Sequence, residues 1–183
     1  HTPASDTVWF AYFAPYSQAQ HDALLVRSQQ GGARVSSLGS TIDGHDLDLV
    51  TVGSGPRSIW IPARQHPGET MASWRAEGMI DRLLSPACAA LRQKATFFIV
   101  PNMNPDGSRR GHLRSNAAGE NLNRAWAEPS PDRTPEVFFV RQEMDRTGVD
   151  LCMDVHGDEA LPDNFFSAGM LGVPSLTDRQ RDL

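Results

Sequence analysis

Three short runs of hydrophobic residues divide the middle of the chain, and a polar loop follows each run. The runs occupy residues 58–63, 95–100 and 149–155. Apolar residues near helical spacing predict a helix over about 70–84, and a proline in the first turn favours another helix over about 135–146. Strands that alternate with helices predict an α/β fold with a mixed, largely parallel sheet flanked by helices.

The part of the chain that precedes these runs predicts three further elements. Residues 1–16 cluster aromatic side chains between prolines, which indicates a linker or an edge strand that leads into the main domain. Residues 17–29 have the alanine, leucine and glutamine content of a first helix. Residues 34–52 alternate apolar and polar positions around an Asp-Gly pair at 43–44, which predicts two strands joined by a turn.

Candidate metal ligands lie just after the first and third hydrophobic runs. His66 and Glu69 flank Pro67 and Gly68, which force a turn, so the two side chains can converge on one point. His156 ends the third run, at the edge of the sheet where α/β proteins bind ligands. Two histidines and one glutamate, with a fourth position left for water, form the ligand set of a catalytic zinc. A histidine satisfied within the core is the alternative interpretation of His156.

The polar segment 104–126 holds a second group of candidate residues. Arg114 and Arg124 lie in it, with Asn123 beside the latter. A guanidinium pairs with a carboxylate through two hydrogen bonds, and an adjacent amide can complete the clamp. A second arginine near a metal can stabilise the oxyanion of a tetrahedral intermediate. The alternative is an arginine-rich loop that is simply solvated.

Composition narrows the class of protein further. The length of 183 residues suits one domain, and the net charge of −5 argues against nucleic acid or an anionic membrane as the main partner. No apolar run approaches the length of a membrane-spanning helix. The two cysteines, Cys88 and Cys152, cannot make a disulfide framework, which favours a reducing compartment and a cytoplasmic location. The oligomeric state stays open.

Four ordered motifs resemble those of the M14 zinc metallocarboxypeptidases. They are HPGE at 66–69, NPDG at 104–107, LNR at 122–124 and DVHGDE at 154–159. The longer strings around them are similar to the cytosolic carboxypeptidase subfamily and its bacterial relatives. The resemblance implies a zinc carboxypeptidase-like fold, in which residues 17–183 form the N-terminal part of a catalytic domain.

The resemblance also implies a role for each candidate residue. Asn123 and Arg124 would hold the C-terminal carboxylate of a peptide or protein substrate. Arg114 would polarise the scissile carbonyl and steady the oxyanion. Glutamate is one residue that an enzyme of this kind could remove. The ligands of a single zinc ion would be His66, Glu69 and His156.

The chain departs from the family pattern in two ways. Asn121 stands where many relatives have an aspartate that accepts a hydrogen bond from a zinc-bound histidine, and an amide gives that imidazole less charge support. The general base of the family is a glutamate on a strand well after the second histidine, beyond Leu183. We therefore expect this chain to be the front part of a catalytic domain, able to bind zinc but to hydrolyse little by itself.

Two other functions stay open on the sequence alone. One is a zinc deacylase of the aspartoacylase type, although the NPDG motif and the GENLNR string at 119–124 favour the peptidase. The other is a non-catalytic, zinc-containing module that binds peptides. The sequence has no HExxH helix, GxSxG elbow or P-loop to suggest different chemistry.

Overall fold

Five strands and five α-helices make up the part of the chain that the computed structural model describes, residues 2–8, 10–161 and 163–166. The remainder of the predicted domain 17–183 lies outside the described residues. The strands are β1 Arg34–Ser40, β2 Asp46–Gly53, β3 Arg57–Pro62, β4 Ala95–Val100 and β5 Leu151–Cys152. The α-helices are α1 Gln18–Gln30, α2 Thr70–Leu84, α3 Ala89–Lys94, α4 Pro105–Arg110 and α5 Pro135–Thr147. Short 3-10 helices occupy Pro86–Cys88 and Leu122–Arg124.

The strands form one mixed sheet in the order β1-β2-β4-β3-β5, which confirms the predicted fold class. β1 pairs with β2 and β2 pairs with β4 in antiparallel fashion. β3 lies parallel to both β4 and β5, and a bridge between Ala63 and Val155 extends the second of these pairings. The carboxyl ends of β3, β4 and β5 therefore meet at one edge of the sheet, so the three polar loops begin side by side.

Both faces of the sheet are covered, which explains why β4 has no polar alternation. Phe97 and Ile99 of β4 pack in the cluster that includes residues of α1 and α2. Phe98 and Val100 point to the opposite face and pack with residues of α5. Each cluster is a continuous set of buried side chains, so the central strands are held from both sides and give the loops at their ends a rigid base.

The helix α4 was not predicted, because its six residues are too few to show a helical period. Its ends nevertheless carry ordinary signals. The side chain of Asn104 accepts a hydrogen bond from the backbone N–H of Gly107, Pro105 occupies the first turn, and Gly111 ends the helix with a φ of 71°. The segment 104–126, interpreted as one long loop, is therefore a short helix followed by irregular chain and a 3-10 turn.

The aromatic segment at the start of the chain contacts α2 through its backbone. The carbonyl of Ala14 accepts hydrogen bonds from Thr70 Oγ1 at 2.8 Å and from the indole Nε1 of Trp74 at 3.3 Å. The ring of Tyr16 packs edge-on against Trp74, with centroids 4.9 Å apart. The described residues of this aromatic segment, 2–8 and 10–16, form no strand. Within the described part of the chain, no helix is long and apolar enough to cross a membrane.

Candidate active site

The structure brings His66, Glu69 and His156 together at the carboxyl ends of β3 and β5. Each offers one ligand atom, and these atoms lie within 4.8 Å of one another. The two imidazole rings are tilted, with centroids 4.8 Å apart. His66 and Glu69 are buried, while His156 is partly exposed. The group therefore has a closed side, formed by the protein, and one side that solvent or a substrate can approach.

A tight turn between β3 and α2 positions the first two residues of this group. The backbone N–H of Glu69 donates to the carbonyl of His66 at 3.1 Å, which folds the two side chains towards each other. Glu69 is also the N-cap residue of α2, where the helix dipole favours a negative charge. The turn is fixed from outside by a hydrogen bond from the N–H of Gly68 to the carbonyl of Leu113 at 2.9 Å.

Both imidazoles present the same nitrogen to the carboxylate. The Nδ1 atom of His66 lies 2.7 Å from Glu69 Oε1, and the Nδ1 atom of His156 lies 2.8 Å from Glu69 Oε2. The Nε2 atoms point outward to oxygen acceptors, at 3.0 Å from Asn121 Oδ1 and 2.7 Å from Asp154 Oδ2. Each Nε2 atom donates to an oxygen outside the cluster, so Nδ1, which faces the shared carboxylate, is the nitrogen available to a metal.

The electrostatics of Glu69 suit a metal ligand. Burial acts to raise the pKa of its carboxyl group. Hydrogen bonds from His156, His66 and the backbone N–H of Gly157 outweigh burial and lower the pKa to about 2. The carboxylate is therefore ionised throughout the neutral range, as metal binding requires.

His156 is affected by the same contacts in the opposite sense. Burial acts to lower the pKa of its imidazole, but hydrogen bonds to Asp154 and Glu69 outweigh burial and raise the pKa to about 9. A metal ion that binds Nδ1 must displace the proton that lies between His156 and Glu69.

The chemistry of these donors fits zinc. Imidazole nitrogen and carboxylate oxygen are both ordinary zinc ligands, and three protein ligands with one open position are typical of catalytic zinc sites. The three ligand atoms of His66, Glu69 and His156 share one small volume, and a carboxylate beside two imidazoles supplies the charge that a divalent cation needs.

The arginines and the asparagine predicted to bind substrate lie at different distances from this group. Nη1 of Arg114 is 3.9 Å from Glu69 Oε1, and the side chain is half-exposed. Nδ2 of Asn123 is 3.4 Å from His156 Nε2. Arg124 is exposed and its Nη1 donates to the carbonyl of Asn123 at 2.8 Å. Among the contacts of the described residues, none joins the Arg124 guanidinium to His66, Glu69 or His156.

Three residues next to this group were not singled out from the sequence. Asp154 accepts a hydrogen bond from His156, and its place two residues earlier on an extended segment could have indicated it. Gln65 donates to Asp154, and Trp126 donates to Gln65. Their sequence neighbourhoods give no sign of this contact, because Gln65 and Trp126 meet only through the fold.

Comparisons with known proteins agree with this geometry. Residues 23–161 match the peptidase M14 family model, described as zinc carboxypeptidase. An uncharacterized protein of Zymomonas mobilis is 54% identical over 187 residues, covering 100% of this chain and 49% of the relative. Human cytosolic carboxypeptidase 1 is 35% identical over 74% of this chain and 13% of its own length. A crystal structure of a metallo-carboxypeptidase from Burkholderia cenocepacia superposes with a TM-score of 0.86 at 43% identity, covering 93% of this chain and 48% of that one.

The chain thus spans about half the length, or less, of the proteins that it matches. The family match covers residues 23–161 of this chain. It therefore includes all four motifs that carry the candidate site, which lie within residues 66–159.

Proposed function

The chain belongs to the peptidase M14 family of zinc carboxypeptidases, and we propose that it forms the zinc-binding part of an enzyme that removes the C-terminal residue of a peptide or protein. The observation that carries this proposal is the convergence of His66, Glu69 and His156, with ligand atoms within 4.8 Å of one another. Membership of this family supports a carboxypeptidase activity. The cluster of His66, Glu69 and His156 supplies the ligands for the metal that this activity requires.

We assign one zinc ion to Nδ1 of His66, the carboxylate of Glu69 and Nδ1 of His156. When bound, zinc polarises the scissile carbonyl and lowers the pKa of a water molecule. The protein contributes orientation: Asn121 and Asp154 hold the two imidazoles by their Nε2 atoms, and Gly157 donates its backbone N–H to Glu69 at 3.0 Å. These contacts fix the ligands before the metal arrives.

We assign substrate recognition to Asn123 and Arg124 and stabilisation of the oxyanion to Arg114. The support is position and chemistry. Asn123 touches His156, and Arg124 follows it on an exposed turn where a guanidinium can swing towards a free carboxylate. Arg114 is half-exposed beside Glu69, so it can approach a carbonyl oxygen next to the metal.

We assign the general base to a glutamate outside residues 1–183. Two acidic side chains close to His156 in sequence, Asp154 and Asp158, have other partners. Asp154 accepts from His156 and Gln65, and Asp158 accepts from the backbone N–H groups of Ala160 and Leu161. Residues 1–183 alone are therefore expected to bind zinc with little hydrolysis.

The residue removed and the location of the enzyme are further parts of the proposal. We propose glutamate as the residue removed, on the family resemblance to the cytosolic carboxypeptidases. We place the protein in the cytoplasm because Cys88 and Cys152 are both free and the human relative is named a cytosolic enzyme.

The experiment compares three substrates with the zinc-loaded complete enzyme, in which the proposed general base is present. A peptide with a free C-terminal glutamate should be shortened by one residue. The same peptide with a C-terminal amide should be resistant, because the arginine clamp requires a carboxylate. Cleavage of N-acyl amino acids without cleavage of peptides would identify a deacylase instead. Peptide binding without turnover would identify a binding module.

A further inference from the structure

A continuous chain of hydrogen bonds runs from the protein interior to His156. The indole Nε1 of Trp126 donates to Gln65 Oε1 at 2.8 Å. Gln65 Nε2 donates to Asp154 Oδ2 at 2.7 Å, and the same oxygen lies 2.7 Å from Nε2 of His156. The chain therefore joins residues from three separate parts of the sequence and ends on a proposed zinc ligand.

The direction of every hydrogen bond in this chain is fixed by chemistry. An indole nitrogen can only donate, so the carbonyl oxygen of the Gln65 side chain must face Trp126. The amide nitrogen of Gln65 then faces Asp154 as a donor. Because a carboxylate can only accept, His156 must carry a proton on Nε2, and its Nδ1 atom faces Glu69. The amide of Gln65 thus holds the carboxylate that orients the imidazole of His156, with Nδ1 directed to Glu69.

Burial shows which residue of this hydrogen-bond chain anchors the others. Gln65 is fully buried, whereas the side chain of Asp154 is 34% exposed. Among the described residues, Gln65 and His156 are the only partners recorded for the Asp154 carboxylate. Without Gln65, the contact with His156 would be the one hydrogen bond among the described residues that keeps Asp154 from turning towards solvent.

Gln65 is itself held on both sides. Its backbone carbonyl accepts a hydrogen bond from Asn104 Nδ2 at 3.1 Å, which ties it to the loop after β4. Trp126 is held in turn, since Arg141 of α5 donates to its carbonyl at 2.8 Å. Gln65 therefore links the loop that follows β3 to the loops that follow β4 and β5.

We propose that Gln65, oriented by Trp126, is a positioning residue that fixes the orientation of His156 through Asp154. This inference rests on the proposed function, because it takes His156 to be a zinc ligand. It concerns residues outside the ligand set and the arginine group.

The test uses Gln65→Met, which keeps the side-chain length and removes both hydrogen bonds, and Trp126→Phe, which keeps a ring and removes the donor. Matched controls are Gln29→Met on the exposed face of α1 and Trp74→Phe, which loses an indole hydrogen bond to Ala14 remote from Asp154. Zinc affinity is measured by chelator competition, and thermal unfolding of each metal-free variant reports its stability.

We expect Gln65→Met to weaken zinc binding about 10- to 100-fold, the usual effect of losing a group that orients a ligand, while both controls bind like the parent. Trp126→Phe should show a smaller loss. The double variant should lose no more than Gln65→Met alone, because the two residues act along one path. Unchanged affinity in both single variants, or additive losses in the double variant, would overturn the inference.

A spectroscopic readout separates positioning from a general loss of stability. In the cobalt-substituted protein, His66 and His156 should each give an exchangeable Nε2–H resonance shifted by the metal. Gln65→Met and Trp126→Phe should broaden the His156 resonance through faster exchange and leave that of His66 sharp. Equal effects on both resonances would contradict positioning. A parent protein that binds no zinc would overturn the proposed function as well, whereas zinc binding that is insensitive to Gln65 and Trp126 would overturn this inference alone.

Discussion

At the scale of single residues, the site depends on how each imidazole divides its two nitrogens. His66 and His156 both direct Nδ1 to Glu69 and Nε2 to an oxygen acceptor. The acceptor is the amide of Asn121 for one ring and the carboxylate of Asp154 for the other. Glu69 joins the two rings, and its charge is maintained down to a pH of about 2. Two changes to this arrangement give distinct expectations.

Glu69→Gln should lower zinc affinity by more than about 100-fold, more than the loss of an orienting group does, because it removes a ligand charge and keeps the side-chain shape. Chelator competition measures the effect. Glu77→Gln on the same helix is the matched control, since Glu77 pairs with Tyr16 and Arg27 away from the site. Zinc affinity that falls equally in both variants would show that the effect is not specific to the cluster.

Asn121→Asp should raise zinc affinity about tenfold, because a carboxylate supports the charge on a metal-bound imidazole better than an amide does. Asn121→Ala should lower it, since the Nε2 atom of His66 would lose its acceptor. Isothermal titration with zinc measures both. Tighter binding by the alanine variant than by the aspartate variant would contradict the assigned role of Asn121.

The grouping of His66, Glu69 and His156 could be predicted from the sequence because each follows a strand and carboxyl ends of parallel strands meet at one edge. The hydrogen bonds that surround these three residues could not be predicted from the sequence. Gln65 and Trp126 are separated by 61 positions, and only the path of the intervening chain brings their side chains together. Asp154 lay within a motif, yet its contact with His156 depends on side-chain orientation.

At the scale of elements, the turn between β3 and α2 is packed directly against the loop that carries Arg114. A Cβ atom on Gly68 would lie 2.7 Å from Leu113 Cδ1 and 2.9 Å from the Leu113 carbonyl oxygen. Such distances require one of the two segments to move. The position of Arg114 relative to Glu69 therefore depends on the absence of a side chain at residue 68.

In the complete enzyme, Gly68→Ala should lower kcat/KM about 10- to 100-fold, because displacement of a group near the reacting atoms by about 1 Å is enough for such a loss. Gly78→Ala is the matched control. Gly78 lies within α2 with open space around its Cα, so the added methyl group should stabilise the helix by about 0.5–1 kcal/mol. Equal kcat/KM in the parent and Gly68→Ala would contradict the close packing of the two loops.

The first turn of α5 buries a carboxyl group that affects stability. Burial raises the pKa of Glu136 to about 7, and repulsion by Asp106 and Asp43 adds to the effect, while hydrogen bonds from its own backbone N–H and from Asn116 oppose it. In the unfolded chain the pKa returns to near 4.5. Between these values the unfolded state releases its proton first, so stability falls as pH rises.

The free energy of unfolding should therefore decrease by about 3 kcal/mol between about pH 4.5 and pH 7 through this group, at about 1.4 kcal/mol per unit of pKa shift. Glu136→Gln should remove that decrease in urea titrations. Glu143→Gln on the same helix should retain the decrease. Arg146 lowers the pKa of Glu143, so the stabilisation that the ionised Glu143 provides is lost as pH falls and not as pH rises. A parent protein whose stability rises over this interval, with Glu136→Gln unchanged, would contradict the assignment.

The main strands and α2 follow from the pattern of apolar residues, α1 from its alanine, leucine and glutamine content, and α5 from the proline in its first turn. The helix α4 does not, because six residues set by Asn104 and Gly111 show capping signals without a period. The strand predicted over 149–155 is shorter in the structure and consists of Leu151–Cys152 with a bridge at Val155. Among the described strands, it pairs with β3 alone, on one side.

At the scale of the whole molecule, the fold explains how two residues 87 positions apart, Glu69 and His156, belong to one site. Glu69 and His156 are joined across β3 and β5, whose parallel pairing is set by the register of Ile59 with Leu151 and Trp60 with Cys152. Packing on both faces of the sheet keeps that edge rigid. The match to the M14 family covers residues 23–161, which include this cluster.

The most direct measurement of this centre is the zinc content of the purified protein after excess metal is removed. The parent protein should hold one zinc ion per chain, as expected of a site with these three ligands. His112→Ala, which alters a histidine of the neighbouring loop whose Nδ1 lies 3.2 Å from the Ser115 carbonyl oxygen, should hold the same amount. His156→Ala should lose nearly all of it. Full zinc content in His156→Ala would contradict the assignment of His66, Glu69 and His156 as the metal centre.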